Sequence, residues 1–382
     1  MPPDTHPVAG TAYKLPPPWP AGCSPLPGEG GLSKRERVLR ALEALGERIV
    51  EQIRRGEFPW VELPSRSTTN ILYDPEVRQY VLGEKRVRRT AANIRHLRPL
   101  MHLVWAALFS HELVRTWRTT TLRDVYYSAQ AYGFSFKDQQ ESNNIIVDLE
   151  SVIGFPREDF NIFPEERSSV FGDLTVEYTV PGYEGRRLNL TSHPDGMMIG
   201  PALANAKLVE TSADKVIAVE KGGLFTRFIE ERVHERYRAI LIHTAGQAPR
   251  ATRYFIRRLH EELGLDVFIL TDGDPWGMHI AMVIISGSAE AAHLRGLTTP
   301  DAKWIGVWAT DIVKYKLPSD PLTDRDIKRL RELQKDPRYS GDLWQREIDA
   351  FLKHKRKSEL EAFCRYGLTY IVDEYLPDKL GE

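Results

Sequence analysis

The chain is poor in cysteine and has no long apolar run. Its 382 residues include two cysteines, Cys23 and Cys364, which cannot build a disulfide scaffold and so favour a reducing compartment. The opening MPPDTHPVAG is broken by prolines and lacks the apolar core of a secretory signal. The most apolar stretch, residues 100–108, is far shorter than the roughly 20 residues of a membrane span, so it predicts a buried helix. We therefore expect a globular protein that does not associate with membranes.

The chain also lacks an excess of charge of either sign. Its net charge of −1 excludes a chain that is basic throughout. It does not exclude nucleic-acid binding, because a basic face and a separate acidic metal site cancel in the sum. Basic runs lie in the first half of the chain and around residue 355, so the charge is segregated in this way.

Composition and periodicity change several times along the chain, and its length predicts two to three domains. The many prolines and glycines at the start are typical of a tail rather than of a folded unit. Helical periodicity begins at Ser33, which fits a capping box with Glu36. The predicted divisions are a tail (1–32), a mostly helical unit (33–155), a connecting region of short antiparallel strands (156–209), an α/β unit (210–315) and a charged helical segment (316–382).

The helical unit contains a dense basic segment, GEKRVRRT, next to three helical patterns. Three helices beside a basic hairpin are typical of a winged helix-turn-helix that binds DNA. In that interpretation the basic side chains contact the DNA backbone. A solvated surface is the commoner origin of such a run and stays open as the alternative. The candidate DNA contacts are Lys85, Arg86, Arg88 and Arg89.

Four apolar segments alternate with helical patterns in the second half of the chain, namely KVIAVE, RAILIHT, DVFILTD and WIGVW. Apolar strands that alternate with helices predict a parallel sheet covered on both faces. In such a sheet, ligands bind at the carboxyl ends of the strands. The predicted fold class is therefore mixed α/β, with the helical unit followed by a Rossmann-like parallel sheet.

Three acidic residues fall at those strand ends. Glu220 closes the first strand, Asp272 closes the third, and Asp274 follows two residues later. Clustered carboxylates repel one another unless a cation neutralises them, and ligation by oxygen alone suits Mg²⁺. An Asp-x-Asp beside glycine and proline is by itself more often a turn. It also begins some phosphatase sites, although the downstream partners of such a site are not evident in this sequence.

The segment RDVYY places Arg123 four residues before Tyr127, so that both could lie on one face of a helix. A neutral tyrosine is a poor nucleophile, but an arginine and a metal favour the phenolate and stabilise charge on an attacked phosphate. A pair of amphipathic core tyrosines is the alternative interpretation. Because Tyr126 and Tyr127 point about a third of a helical turn apart, only one of them can be the nucleophile.

These residues together resemble the A subunit of DNA topoisomerase VI, in the type IIB topoisomerase family that also includes the meiotic transesterase that makes recombination breaks. The resemblance runs from about residue 35 to the C-terminus, and RDVYY, EKGG and DGDP in that order are its most specific part. The loop HTAGQAPRATR departs from the family pattern, and residues 1–32 match no part of it. Further matching segments are PSRSTTNILYD, LGEKRVRR, ESNNIIVDLES, WIGVWATDIVKYKLP, DIKRLREL and YGLTYIVDEYLP.

The resemblance implies a winged-helix domain of the catabolite-activator type that carries the nucleophile at Tyr127 and the matching arginine at Arg123. It implies a Toprim domain after it, whose metal ligands match Glu220, Asp272 and Asp274. The implied activity is a transesterification that leaves a 5′-phosphotyrosyl link on each strand of duplex DNA, with Mg²⁺ as the cofactor.

The resemblance also implies the partners. The A subunits form a homodimer in which the tyrosine of one protomer works with the metal of the other. A separate B subunit binds the ATP that drives strand passage and relaxation, in a heterotetramer of two A and two B subunits, and this chain itself has no P-loop. The expected location is the cytoplasm and nucleoid, or the nucleus if the source is eukaryotic.

Three alternatives stay open at this point. A Toprim nuclease without a covalent intermediate would use the acids but not the tyrosine. A non-enzymatic winged-helix DNA binder would use neither. A recombination-initiating double-strand-break transesterase would use both without strand passage, although the long charged C-terminal segment favours the topoisomerase.

Overall fold

The computed structural model describes residues 32–381, so the predicted tail, apart from residue 32, lies outside the described residues. Buried apolar side chains form two clusters. One extends from Val38 to Ile162 and the other from Val170 to Leu376. None of the helices in residues 32–381 is long and apolar enough to cross a bilayer. The described chain is therefore organised around two cores.

The first core belongs to a unit that combines helices with short strand pairs. Its helices are α1 (Lys34–Arg54), α2 (Ile94–Thr116), α3 (Leu122–Ala131) and α4 (Gln139–Ile153). Its strands are β1 (Trp60–Pro64), β2 (Ile71–Asp74), β3 (Gln79–Leu82), β4 (Arg86–Thr90), β5 (Thr120–Thr121) and β6 (Ile162–Phe163). β1 pairs antiparallel with β4, and β2 with β3. The basic segment predicted from the sequence therefore lies on and just before β4.

Capping boxes fix where two helices of this unit begin. The Glu36 amide donates to the Ser33 hydroxyl, and the Ser33 amide donates to the Glu36 carboxylate, which confirms the predicted box. α3 begins in the same way, with bonds exchanged between Thr121 and Asp124. These bonds satisfy amides that the first turn of a helix leaves unpaired. The second box sets the start of the helix that carries Tyr127.

The second core lies around a six-stranded sheet. The elements of this unit up to residue 314 are β7 (Ser169–Phe171), β8 (Leu174–Glu177), β9 (Arg187–Asn189), β10 (Met197–Met198), α5 (Pro201–Ala204), β11 (Lys207–Thr211), β12 (Lys215–Val219), α6 (Gly222–Glu230), α7 (Val233–Arg236), β13 (Ala239–His243), α8 (Arg250–Leu263), β14 (Asp266–Leu270), α9 (Pro275–Ser286), β15 (Lys303–Gly306) and α10 (Ala309–Lys314). The strand order is β10–β7–β13–β12–β14–β15. The last four are parallel, and β7 and β10 are antiparallel neighbours. The predicted parallel sheet is thus confirmed.

The parallel strands are the four apolar segments of the sequence. In β12, the residues from Val216 to Val219 are all buried, as expected of a strand covered on both faces. β12 lies between β13 and β14, so the strand order reverses at β12. Such a reversal is the topological switch point at which open α/β sheets bind ligands. The carboxyl ends of β12, β13 and β14 therefore share one candidate edge.

Segments on both sides of these strands complete the second unit. β7 and β10 come from the predicted connecting region and extend the sheet beyond β13. The charged C-terminal region also packs on the sheet, since Leu330, Phe351 and Val372 belong to its core. The elements of that region are β16 (Asp320–Pro321), α11 (Asp324–Lys335), α12 (Asp342–His354), β17 (Arg356–Lys357) and α13 (Leu376–Leu380).

A buried ion cluster joins the two units. Glu150 of α4 lies 2.5 Å from Arg250 of α8 and 2.8 Å from His293. Burial alone would raise the pKa of Glu150, but the Arg250 guanidinium and His293 hold it at about 2. Separating a buried ion pair is costly, so the cluster fixes the helical unit against the sheet. The β2–β3 hairpin adds an ion pair of 2.5 Å between Arg78 and Asp301.

Candidate active site

Two of the three predicted acids meet at the switch-point edge of the sheet. Glu220 follows β12 directly, and Asp272 follows the neighbouring strand β14. The Asp272 amide donates to Oε2 of Glu220 at 3.0 Å, which ties the two strand ends together. The sheet therefore brings these residues into contact although 52 positions separate them in the sequence.

The third acid, Asp274, is held by the helix that it begins. It is the N-cap of α9, and its Oδ1 accepts the amides of Trp276 at 2.8 Å and Gly277 at 2.7 Å. A Cβ at position 277 would lie 2.1 Å from the Asp272 carbonyl oxygen, so glycine is needed where the helix meets this loop. The cap uses one carboxylate oxygen of Asp274 and leaves Oδ2 for a ligand.

Burial and mutual repulsion disfavour the charged forms of these acids. Burial raises the pKa of Glu220 to about 7, and the negative charges of Asp272 and Asp274 contribute to the rise. Burial also raises the pKa of Asp272 and that of Asp274. Carboxylates held where their charge is unfavourable are more typical of functional sites than of ordinary surfaces.

The donor set suits a hard divalent cation, yet the acids do not form a closed cage. Carboxylate oxygens are the ligands of Mg²⁺, which keeps several of its waters when it binds. Within residues 32–381, no three His, Cys, Asp or Glu side chains converge as a ready metal-binding group. A cation of the protein lies at the acids instead, since Nζ of Lys221 is 3.0 Å from Oδ2 of Asp272. Carboxylate ligands therefore suit Mg²⁺, but in this structure Asp272 is ion-paired with Lys221 instead.

A segment near the C-terminus completes this edge. Ser358 exchanges two backbone hydrogen bonds with Gly273, of 2.8 and 3.0 Å, and the Leu360 amide donates to Oδ1 of Asp272 at 2.9 Å. A Cβ at position 273 would lie 3.1 Å from the Ser358 carbonyl oxygen, so glycine permits this close pairing. Sequence reasoning missed the segment, because no local motif indicates a bond between residues 88 positions apart. Sequence reasoning also missed Lys221, although its position next to Glu220 in EKGG could have indicated a contact with the acids.

Tyr127 and Arg123 lie on α3 and line an open groove of about 910 Å³ between the two units. Tyr127 is 54% exposed, which leaves the side chain accessible to a large substrate. Tyr126 meets it edge-on, with 5.2 Å between ring centroids, and packs partly against the helical core. Both tyrosines line the groove, but Tyr126 is half-buried whereas Tyr127 is exposed.

The three acids are not among the residues that line this groove. Its wall on the sheet side is the loop after β13, through Ala245, Gln247 and Pro249. Gly246 of the same loop donates its amide to the Glu220 carbonyl at 3.3 Å, so the loop borders both the groove and the acidic edge. Among the described residues, Glu220 and Asp272 are bonded to each other, and no contact joins any of the three acids to Tyr127.

The basic candidates differ in their surroundings. The exposed ones are Lys85, Arg86 and Arg88. The Arg88 guanidinium lies over the Trp60 ring at 3.7 Å from its centroid, which holds it across the β1–β4 pair. Arg89 is ion-paired with the buried Asp148 of α4, so this residue connects β4 to the helical core.

Comparison with protein families matches both parts of this arrangement. Residues 215–380 match the Toprim-domain model of the topoisomerase 6 A subunit/Spo11 family, which covers the parallel sheet and its acidic edge. Residues 98–162 match the model described as "Type IIB DNA topoisomerase", which covers most of α2 and all of α3 and α4. The two matched segments are therefore those of a type IIB DNA topoisomerase with a Toprim domain.

Individual relatives cover most of the chain and narrow the assignment. The type 2 DNA topoisomerase 6 A subunit from Methanothermobacter thermautotrophicus is 44% identical over 351 residues, which are 91% of this chain and 98% of the relative. Proteins of the same name from Archaeoglobus fulgidus and Halobacterium salinarum are each 37% identical and cover 91% and 89% of this chain, and 97% and 95% of themselves. The chain belongs to the family of type 2 DNA topoisomerase 6 A subunits, which confirms the resemblance drawn from the motifs.

Proposed function

We propose that this A-subunit chain cleaves duplex DNA with Tyr127 as the nucleophile, assisted by Mg²⁺ at the acidic edge. The observation that carries the proposal is the exposure of Tyr127 beside Arg123 on α3, while its neighbour Tyr126 packs partly into the core. An exposed aromatic side chain in an open groove supports a role in chemistry more than in folding.

The proposed reaction is a transesterification. Oη of Tyr127 attacks a backbone phosphorus and the bond from phosphorus to the 3′ oxygen breaks. The phenol releases its proton to solvent and the departing 3′ oxygen takes one up, so the products are a 5′-phosphotyrosyl link and a free 3′-hydroxyl. Arg123 lines the same groove and would position the phosphate and stabilise the charge that develops on it.

Glu220, Asp272 and Asp274 would hold the Mg²⁺, which when bound supplies Lewis-acid stabilisation of charge on the phosphate oxygens. Their carboxylate-only chemistry and raised pKa values support this assignment. The chain orients these ligands itself. The 3.0 Å bond from the Asp272 amide orients Glu220, the Leu360 amide orients Asp272, and the cap of α9 orients Asp274.

The site is completed between two copies of the chain. The groove of Tyr127 has none of the acids in its lining, and the Glu150–Arg250 ion pair fixes the helical unit against its own sheet. In a homodimer, Tyr127 of one protomer would therefore work with the acids of the other. Two such sites cut the two strands of a duplex.

The relatives are A subunits by name, which supports a further partner. An ATPase B subunit would bind the ATP that drives strand passage and relaxation, in a heterotetramer of two A and two B subunits in the cytoplasm and nucleoid. Assigning ATP binding to the B subunit fits this chain, because its candidate site residues serve transesterification only.

The helical unit is proposed to be a winged-helix domain of the catabolite-activator type. α2, α3 and α4 would supply its helices, and the β1–β4 pair its wing. The limits that go with this assignment are 33–155 for the winged helix, 156–209 for the connection, 210–315 for the Toprim strands and helices that carry the acids, and 316–382 for the C-terminal segment that packs on the same sheet. The DNA backbone would contact Lys85, Arg86 and Arg88, with Arg89 at the base of the wing.

Covalent trapping tests the proposal. The chain is incubated with its B subunit, ATP, Mg²⁺ and end-labelled duplex DNA, and the reaction is stopped with denaturant so that only covalent protein–DNA complexes survive. We expect Tyr127→Phe to abolish the complex and Tyr126→Phe, which removes the neighbouring hydroxyl, to retain it. A complex that survives Tyr127→Phe would rule out this nucleophile, and cleavage without any complex would indicate a Toprim nuclease.

A further inference from the structure

Lys221 lies between the acidic edge and two further carboxylates. Its Nζ is 3.0 Å from Oδ2 of Asp272 and 3.8 Å from carboxylate oxygens of both Glu359 and Glu361. Asp272 is almost buried, whereas Glu359 and Glu361 are exposed. The ammonium is therefore bound most closely to the partner that water reaches least.

The two exposed carboxylates are held at this distance by the backbone of the C-terminal segment. Ser358 is bonded to Gly273 in both directions, and the next residue but one, Leu360, donates to Asp272. Glu359 and Glu361 flank Leu360 and thus stand on either side of an anchored position. Their nearness to Lys221 follows from this anchoring and does not depend on flexible surface chains alone.

The contacts of Asp272 leave little room for a metal ion. Oδ1 accepts the Leu360 amide and Oδ2 is bound to the Lys221 ammonium. A divalent cation placed on Oδ2 would lie close to a like charge in a half-buried site, where repulsion is stronger than in water. Lys221 has a flexible four-carbon stem, so it can move while Asp272 stays in place.

We propose that Lys221 is an exchangeable counter-ion that occupies Asp272 in the metal-free protein and transfers to Glu359 and Glu361 when the divalent cation binds. The inference rests on the metal site of the proposed function. It gives the C-terminal segment a role in metal binding, because the segment both orients Asp272 and receives the displaced ammonium.

The proposal predicts opposite effects on Mn²⁺ affinity when the ammonium is removed and when its two acceptor carboxylates are removed. Lys221→Met removes the competing charge and should tighten Mn²⁺ binding by roughly five- to tenfold, within the usual range for coupled sites. The double variant Glu359→Gln/Glu361→Gln removes the acceptors and should weaken Mn²⁺ binding several-fold. In a chain that also carries Lys221→Met, the two glutamine substitutions should change Mn²⁺ binding little, because there is no longer an ammonium for the carboxylates to accept.

The test is a calorimetric titration of the full chain with Mn²⁺, without DNA, so that binding is read apart from cleavage. Lys353→Met on α12 removes the same unit of charge from an exposed position and should leave the affinity unchanged. Thermal melting of each variant identifies any that fail to fold, and Lys221→Arg, which keeps the charge, should bind no more tightly than the parent chain.

The outcomes separate this proposal from the one on which it rests. If Asp272→Asn and Glu220→Gln leave Mn²⁺ binding intact, the metal site itself is wrong. If those variants abolish binding while Lys221→Met binds like the parent or more weakly, the site stands and the exchange is overturned. Glutamine effects of equal size with and without Lys221 would also overturn it, because they would reflect bulk charge alone.

Discussion

The acidic edge and the tyrosine groove differ in how completely a single chain builds them. Asp272 is 9% exposed, and each of its carboxylate oxygens already has a partner. Tyr127 is 54% exposed and stands in an open groove. One half of the proposed site is thus organised by the fold, at the expense of burying charge, while the other half is presented outward. The difference is what the proposed function expects of a groove that is completed by DNA and a second protomer.

The largest expected effect comes from removing one negative charge at the acidic edge. Asp272→Asn should lower the rate of Mg²⁺-dependent DNA cleavage by about 10²–10³-fold, the usual result of deleting one group that supports transition-state charge. Asp266→Asn, at the opposite end of the same strand, is the matched control and should cleave normally. The rate of covalent complex formation is the measurement, and equal rates for the two variants would contradict the assignment.

The next effect concerns the stability of the metal-free acidic edge. The folded-state pKa of Glu220 is about 7 against an ordinary value of 4.5, so the folded chain binds the proton more tightly than the unfolded chain. The contribution of Glu220 is favourable below pH 4.5 and is lost as the pH rises towards and through 7. Glu220→Gln should therefore raise the free energy of unfolding by about 2 kcal/mol at pH 8, after allowance for solvent screening.

Urea denaturation in the presence of a chelator measures this difference at several pH values. The parent chain and Glu220→Gln should converge below about pH 4.5, where both side chains are neutral. Glu210→Gln, on the exposed face of β11, is the control and should not show the gain in stability at pH 8. A Glu220→Gln variant less stable than the parent at pH 8 would show that the charge is not unfavourable there.

A smaller effect is expected at the wing. Lys85→Ala/Arg86→Ala should weaken DNA binding at all sequences alike and reduce the slope of log K against log salt by about 0.9 for each phosphate that is no longer neutralised. Arg89 is left intact, because its ion pair with Asp148 supports the fold. The control is Arg187→Ala/Lys207→Ala, which removes the same charge from the three-stranded sheet. An unchanged slope in the wing variant would contradict the proposed contacts of Lys85 and Arg86 with the DNA backbone.

The smallest effect is predicted for the stability of the chain when the Tyr127 hydroxyl is removed. Tyr127→Phe should change the free energy of unfolding by less than about 0.5 kcal/mol, because the side chain is exposed. Urea denaturation under the same conditions provides the comparison with Glu220→Gln. A loss of well over 1 kcal/mol would mean that the hydroxyl is structural, and the contrast between the two regions would then fail.

The sequence predicted this contrast only in part. Local patterns were sufficient for the capping box at Ser33, for the apolar strands and for the position of Glu220 and Asp272 at neighbouring strand ends, because each depends on periodicity or on the geometry of parallel sheets. They could not indicate that Leu360 bonds Asp272 or that Glu359 and Glu361 approach Lys221. Those contacts depend on how a C-terminal segment packs against a distant loop, and no spacing in the sequence encodes them.

Sequence patterns were also insufficient at the tyrosine and at the wing. The spacing in RDVYY placed Arg123 and Tyr127 on one helix face, but it gave no means of deciding that Tyr126 is half-buried against the core while Tyr127 is exposed. A run of four basic residues gave no sign that Arg89 differs from the others, because the difference arises from the buried Asp148 on α4. Both distinctions come from tertiary packing.

Sharing of the site between protomers is tested most directly by mixing two inactive chains. Tyr127→Phe supplies intact acids and Asp272→Asn supplies an intact tyrosine, so a heterodimer of the two contains one complete site if the halves come from different protomers. We predict that the mixture, assembled with the B subunit on supercoiled DNA, restores single-strand nicking, with the DNA linked covalently to the Asp272→Asn chain alone. A mixture as inactive as its two components, despite demonstrated heterodimers, would contradict a site shared between protomers.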